Sequence, residues 1–251
     1  MPDRGRADAA QPRPRAVIFD WGGTLTPWHA IDFEKESRAL AMASVGATHW
    51  AEHVLDDAAA RIAAANQVLW GRSRDHHTSA TVADVFNEAG LSHDADLLTA
   101  YREFWEPHTH TDPDVVPLFS RLRVDGLKVG VLSNTLWPRA WHEDFFRRDG
   151  VLDLVDGAVY TSEVPWTKPA PEAFLAAVEA VGEEDPRACV FVGDRLFDDI
   201  WGASRVGMRT ILVPHSDIPV EQLGHTEGEP DEVVQRLAHV HDVVSAWRSA
   251  G

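Results

Sequence analysis

The chain has 251 residues, 44% of them hydrophobic and 25% charged, which fits a globular core with a modest second unit and excludes a disordered chain. A net charge of -17 disfavours nucleic acid and anionic membrane surfaces as partners. It leaves an anionic small molecule open, because a local cation overrides the global field. No apolar run approaches the ~18 residues that span a bilayer. Residues 1–14, rich in Pro, Arg and Ala with no apolar stretch behind them, read as a disordered tail and not as a secretory signal. The single cysteine, Cys189, excludes an internal disulfide and fits a reducing, cytoplasmic setting. Within "ACVFVGD" it reads as a small core residue.

In chain order, Val17 to Phe19 is a short buried strand that ends at Asp20. From about Ile31 to Trp105 the pattern is amphipathic helix without a strand. "AEHVLDDAAARIAAANQVLW" predicts one long helix. "TSATVADVFNEAGL" has Thr78 and Ser79 as caps and stops at Gly90, and "DADLLTAYREFW" predicts another. Roughly four helices inserted after the first strand predict a small helical domain over 29–109, which returns through the linker "EPHTHTDPDVVP". The core is then 15–28 together with 110–251. In it, Val115 to Val124 reads as a helix capped by "DPD", and Leu127 to Leu132 and Gly157 to Tyr160 read as strands. "PAPEAFLAAVEAVG" opens with prolines and closes on Gly182, a helix start and stop. Ala188 to Val192 and Arg209 to Val213 are further strands, and "PDEVVQRLAHVHDVVSAWRSAG" predicts a final amphipathic helix. Strands alternating with helices predict an α/β fold with a doubly wound parallel sheet, whose site lies beyond the carboxyl ends of the strands.

Four loops fall at that edge. They carry Asp20 with Gly22 and Gly23, then Ser133 and Asn134, then Lys168 in "TKPAPEAF", and Asp194, Asp198 and Asp199 in "GDRLFDDIWGA". Each has an ordinary structural explanation on its own: a glycine turn, a helix cap, a solvated lysine, a loop acid. Together and in order they supply a carboxylate nucleophile, a hydroxyl donor, one lysine and acids suited to a hard cation.

This ordered set resembles the haloacid dehalogenase superfamily of hydrolases. "DWGGTL" looks like its first motif, "SN" its second, the lysine of "TKPAPEAF" its third and "GDRLFDDIWGA" its fourth, and the resemblance covers nearly all of 15–248. It implies a Rossmann-like core with 29–109 as a helical cap that closes over the site. It also implies that Asp20 attacks the substrate, Ser133 binds the transferred group and Lys168 neutralises charge. Mg²⁺ would be held by Asp20, Asp194 and the backbone carbonyl of Gly22. Asp199 aligns with the family's final acid, with Asp198 as the neighbouring candidate. Trp21, Gly23 and Asn134 are expected against the substrate.

The departure from the family pattern is Gly22, which stands where most of its phosphatases carry the aspartate that protonates the leaving alcohol. Such acid–base help is typically worth ~10²–10⁴ in rate. Dehalogenases of the family also lack that aspartate but work without metal. Three carboxylates without a cation would raise the pKa of Asp20, so the acidic fourth motif favours Mg²⁺ and a small phosphorylated substrate. Phosphonoacetaldehyde hydrolases of the family share the look of "DW-x-GT" but need a cap lysine for a Schiff base. The chain has only Lys35, Lys128 and Lys168, and Lys35 reads as a solvated helix charge. A catalytically silent protein that binds phosphate ligands or regulates a partner is the alternative outside enzymes. His29, Glu34, His76 and His77 are candidates for a substitute acid. His108, His110, Asp112 and Asp114 read as a solvated linker and not a zinc site. Trp21, Trp28, Trp137 and Trp166, all near motif positions, are candidates to line an apolar pocket. A monomer and a homodimer are both compatible with the sequence.

Overall fold

The computed structural model describes residues 11–27, 29–214 and 227–250. The central sheet has six strands in the order β3-β2-β1-β4-β5-β6: β1 Ala16–Phe19, β2 Lys128–Ser133, β3 Gly157–Tyr160, β4 Cys189–Gly193, β5 Arg209–Leu212 and β6 Glu232–Val233. Every neighbouring pair is parallel. The sheet is sandwiched because both faces of β1 are buried. Val17 and Phe19 join one apolar cluster and Ala16 and Ile18 the other, as the two-residue alternation of a strand requires. The core helices are α5 Val115–Val124, α6 Arg139–Arg148, α7 Pro171–Ala180, the short α8 Gly202–Arg205 and α9 Val240–Ala250.

Register fixes the site edge. Phe19 pairs with Val131 on one side and Val192 on the other, and the Asp20 amide donates to the Val192 carbonyl at 2.9 Å. The loops after β1, β2 and β4 therefore leave the sheet almost level with one another. Chain order reverses between β1 and β4, the switch point where doubly wound sheets open a crevice.

Between β1 and α5 lie α1 Phe33–Ala41, α2 Glu52–His76, α3 Val82–Ala89 and α4 Thr99–Trp105, with no strand among the described residues there. Leu40, Leu55, Ile62, Phe86 and Tyr101 bury their side chains in the same apolar cluster as Val17 and Phe19. The helical expectation for this stretch holds, with two local corrections. α2 runs beyond its alanine-rich part to His76. The cap of α3 is Thr81, whose side chain accepts from the Asp84 amide while Asp84 receives the Thr81 amide; Thr78 and Ser79 do not cap it.

The C-terminal segment also departs from expectation. Glu232–Val233 adds a sixth strand, and the helix begins only at Val240. Asp231 fixes that strand by accepting the Thr210 amide at 2.8 Å, a side-chain contact that periodicity does not reveal. The tail expected over 1–14 falls mostly on residues outside those described. Its last part is attached to the core, since the Pro12 carbonyl accepts from Arg209 at 3.0 Å.

α7 lies so close to β3 that a Cβ built on Gly157 would stand 2.1 Å from the Ala180 carbonyl oxygen. Gly157→Ala should therefore cost on the order of 1–3 kcal/mol through overpacking. An unchanged urea unfolding midpoint would show that α7 does not pack this tightly.

Candidate active site

Lys168 is the centre of the arrangement. Its ammonium donates to Asp20 Oδ1 at 2.5 Å and to Asp199 Oδ1 at 2.7 Å, and all three side chains are buried. The other Asp199 oxygen accepts the Arg195 amide at 2.9 Å. Gly193 makes this possible, because a Cβ there would stand 2.4 Å from the Asp199 carboxylate. Asp194 completes the group, and one carboxylate oxygen from each of Asp20, Asp194 and Asp199 lies within 4.8 Å of the others. Asp198 is not a member of this cluster.

Three buried carboxylates face one ammonium, and the imbalance appears in the proton affinities of Asp20 and Asp194. Burial pushes the Asp20 carboxyl up to about 6 against the pull of Lys168, and the charge of Asp199 adds to the rise. Burial likewise holds Asp194 well above the usual carboxylate range, helped by Asp20 and Asp199. Burial alone would lower the Lys168 ammonium, but Asp199 and Asp20 outweigh it and hold the lysine charged. Both Asp194 oxygens are buried without a hydrogen-bond partner, and Arg195 Nε lies 3.5 Å from one of them, too far for a good hydrogen bond. Orphaned buried carboxylate oxygens are costly, and an all-oxygen donor set of net negative charge fits a hard divalent cation. The cluster can hold a metal ion.

The loop after β2 is anchored to Lys168. Ser133 is buried at the end of the strand opposite Tyr160. The Asn134 side chain accepts the Lys168 amide at 2.8 Å and donates to the Lys168 carbonyl at 3.1 Å. Both ends of this amide are thus engaged by the protein backbone, where the sequence predicts a substrate contact. In the first loop, Gly23 takes the left-handed conformation (φ 85°) that its turn needs. Gly22 does not: its φ is not positive, it is exposed, and a Cβ added there meets nothing within 4 Å. Trp21 is buried against Trp137, His142 and Phe145. Trp166 is 39% exposed, and Trp28 lies outside the described residues.

The comparisons with known proteins agree with this geometry. The model of the haloacid dehalogenase-like hydrolases matches residues 14–207. The chain belongs to this family. It is 27% identical over 232 residues to a glyceraldehyde 3-phosphate phosphatase of Methanopyrus kandleri, covering 92% of this chain and 97% of the relative. It is 28% identical over 209 residues to a phosphonoacetaldehyde hydrolase of Pseudomonas fluorescens, covering 79% and 72%. Among solved structures, a haloacid dehalogenase-type phosphatase from Thermococcus onnurineus superposes with a TM-score of 0.61 at 24% identity, covering 92% and 97%.

In this hydrolase none of the substitute acids named from sequence is part of the Asp20–Asp194–Asp199 cluster. Glu34 and His76 are exposed, and the His29 ring packs on that of His108, 5.0 Å between centroids. His110 approaches Asp149 at 3.9 Å, and Asp114 pairs with Arg236, so the linker residues are engaged separately and form no metal cluster among the described residues. Lys35 sits at the surface with Asp32 and Lys128 with Asp156. Cys189 is fully buried in β4, and burial pushes its thiol up to about 12, as a core residue requires. No helix among the described residues is long and apolar enough to cross a membrane.

One acid escaped the sequence reading. Glu36 of α1 is buried and receives the Tyr101 hydroxyl at 3.0 Å, while the Trp137 indole donates to that hydroxyl at 3.3 Å. Burial raises the Glu36 carboxyl above its usual range. Its signal was positional: it stands four residues before Leu40, on the helix face that turns inward.

His142 gives a pH test of the packing beside the site. Its Nε2 lies 3.1 Å from Thr135 Oγ1 and its ring stacks on Tyr160, 4.4 Å between centroids. Burial, with Arg139 adding repulsion, lowers its pKa to about 3. An unfolded histidine titrates near ~6.5, so below that pH the unfolded chain binds a proton that the folded one refuses. Stability from this residue is complete above ~6.5 and falls by about 1.4 kcal/mol per pH unit below it. Urea unfolding at pH 7 and pH 5 should show the wild type losing about 2 kcal/mol relative to His142→Phe. Parallel losses in the two proteins would mean that His142 is solvated.

Proposed function

We propose that this hydrolase is a Mg²⁺-dependent phosphohydrolase acting on a small organic phosphate through an aspartyl-phosphate on Asp20. The observation that carries the reading is the pair of orphaned Asp194 oxygens beside the Asp20–Lys168–Asp199 ion pairs. A metal-free dehalogenase would leave three buried carboxylates against one lysine. The phosphatase relative that matches nearly the whole chain supports a phosphorylated substrate. Phosphonatase chemistry through a Schiff base finds little support, because Lys35 and Lys128 are both surface ion-pair partners.

Mg²⁺, held by Asp20, Asp194 and Asp199 with the Gly22 carbonyl as a further ligand, would neutralise charge on the phosphoryl oxygens when bound. The Asp20 oxygen not held by Lys168 attacks phosphorus, and the P–O bond to the leaving group breaks with its electron pair moving to the leaving-group oxygen. Ser133 and Lys168 bind the transferred group and offset its charge. Water then attacks phosphorus, the bond from the Asp20 oxygen to phosphorus breaks with its electron pair returning to the carboxylate, and the water's protons leave with inorganic phosphate. The helices of 29–109 act as the cap that keeps bulk water from the reacting atoms. With glycine at position 22 no acid stands two residues after the nucleophile, so a sugar 1-phosphate or acyl phosphate, whose leaving group needs little protonation, suits the site best.

Mg²⁺ at millimolar concentration should raise the unfolding temperature of the wild type but not of Asp194→Asn, and p-nitrophenyl phosphate turnover should vanish in EDTA and in Asp20→Asn. Turnover undiminished in EDTA would overturn the metal assignment.

Gly22→Asp provides a separate test, since the backbone and the open space both admit the new side chain. With an activated phosphate kcat should change little or fall, because another negative charge enters beside Asp20. With a simple alkyl phosphate, a poor leaving group, kcat should rise by up to ~10²-fold. A large gain on every phosphate would mean that Gly22 is a lesion and not a choice of substrate.

A further inference from the structure

The end of α2 docks on the loop that carries Lys168. The chain leaves α2 through His77, a non-glycine residue in the left-handed region (φ 54°), and the His77 carbonyl accepts the Thr167 amide at 2.9 Å. One turn earlier, the Ser73 hydroxyl donates to Thr167 Oγ1 at 3.0 Å, and both residues are buried. The Ser79 amide continues the seam by donating to the Pro165 carbonyl at 3.1 Å, and the Val82 amide reaches the Leu136 carbonyl at 3.1 Å. Ser73, Thr135, Thr161 and Thr167 also line a cavity of about 10 Å³ in this seam, room for one water. Thr167 is thus held by the helical segment, and Lys168, the next residue, is clamped by Asn134 from the sheet side.

We propose that Ser73 and the His77 carbonyl are positioning groups for Lys168, so that the ammonium sits between Asp20 and Asp199 only while α2 is docked. This rests on the reading that Lys168 serves the reaction. Undocking α2 removes two hydrogen bonds from Thr167 and leaves the lysine backbone fixed on one side only. Buried hydroxyl pairs are specific in geometry, because an unpaired partner bears the full cost of desolvation. The helical segment therefore does more than cover the substrate: its arrival aligns the one buried cation of the site.

The chain contains three lysines, so Cε-labelled lysine gives three NMR signals, with Lys168 assigned by its loss in Lys168→Met. Ser73→Ala and Thr167→Val should each shift the Lys168 signal alone. With p-nitrophenyl phosphate and Mg²⁺, each should lower kcat by about 10-fold with KM nearly unchanged. Ser73→Thr should restore both readouts, and Ser73→Ala should add nothing in a Lys168→Met background. Thr81→Ala, which removes the α3 cap, should lower the unfolding temperature without moving the Lys168 signal. If Ser73→Ala and Thr167→Val change only the unfolding temperature, the residues are structural and the proposal fails. If the wild type turns over no phosphate while the Lys168 signal still shifts in both variants, the phosphohydrolase reading falls and the positioning role stands.

Discussion

A single ammonium buried between two carboxylates organises this molecule. Lys168 comes from the loop before α7, Asp20 from the end of β1 and Asp199 from the turn after β4, so their contact ties together three segments far apart in sequence. Such a group is expensive to desolvate and strongly destabilising to leave half made, at ~3–5 kcal/mol for a buried pair that loses one partner. The close packing around it follows from that demand. Gly193 admits the Asp199 carboxylate, and Asn134 holds the Lys168 backbone at both its amide and its carbonyl. The third carboxylate, Asp194, has no hydrogen-bond partner among the described residues, the feature on which the proposed metal site rests.

A second set of constraints lies on the other side of the loop after β2. There Trp137 meets Trp21, Trp105 and Tyr101 edge-on, and the Glu36–Tyr101–Trp137 hydrogen bonds run from α1 and α4 to that loop. The helical segment therefore touches the site edge at two places. Through α4 it packs aromatic rings and makes hydrogen bonds, from Trp137 to Tyr101 at 3.3 Å and from Arg102 to Asp144 at 3.0 Å. Through the end of α2 it makes hydrogen bonds to Thr167, the residue before Lys168. Hydrogen bonds are directional, so both contacts fix the position of the segment on the core.

These features were unevenly legible in the sequence. The strands of the core were plain because parallel strands buried on both faces read as unbroken apolar runs, as in "CVFV". Asp20, Ser133, Lys168 and Asp194 were legible because each directly follows such a run or opens a helix marked by proline. Asp199, with Asp198 as its neighbour, followed only from the resemblance to the family's final acid; the structure buries Asp199 in the π-helical turn Leu196–Trp201 and groups it with Asp20 and Asp194. Glu36 was missed because a glutamate in a helix is ordinarily solvated, and only its partner Tyr101, 65 residues away, turns it into a buried group. β6 was missed because it is two residues long and is secured by the Asp231 side chain more than by its own pattern. Proximity in sequence to a motif does not say whether a ring faces a ligand or another ring, and Trp21 and Trp137 pack against each other.

Gly22 is where sequence and structure together say most. A glycine can be selected for backbone freedom, for close approach or for the absence of a side chain. The first is excluded by its φ, which is not positive, and the second by the empty space around its missing Cβ; the neighbouring Gly23, at φ 85°, supplies the freedom that the turn uses. What remains is the absence of a side chain at an exposed point two residues from Asp20. An aspartate there would bring a fourth carboxylate toward Asp20, Asp194 and Asp199, where two of the three are already held above the usual carboxylate range. Omitting it adds no further negative charge to three acids that face one lysine, and leaves open space at that point. The cost is a general acid, which matters least when the bond to be broken has a leaving group stable as an anion. Under the proposed function, the glycine belongs to the same electrostatic design as Lys168 and narrows the chemistry of the substrate through its missing carboxylate.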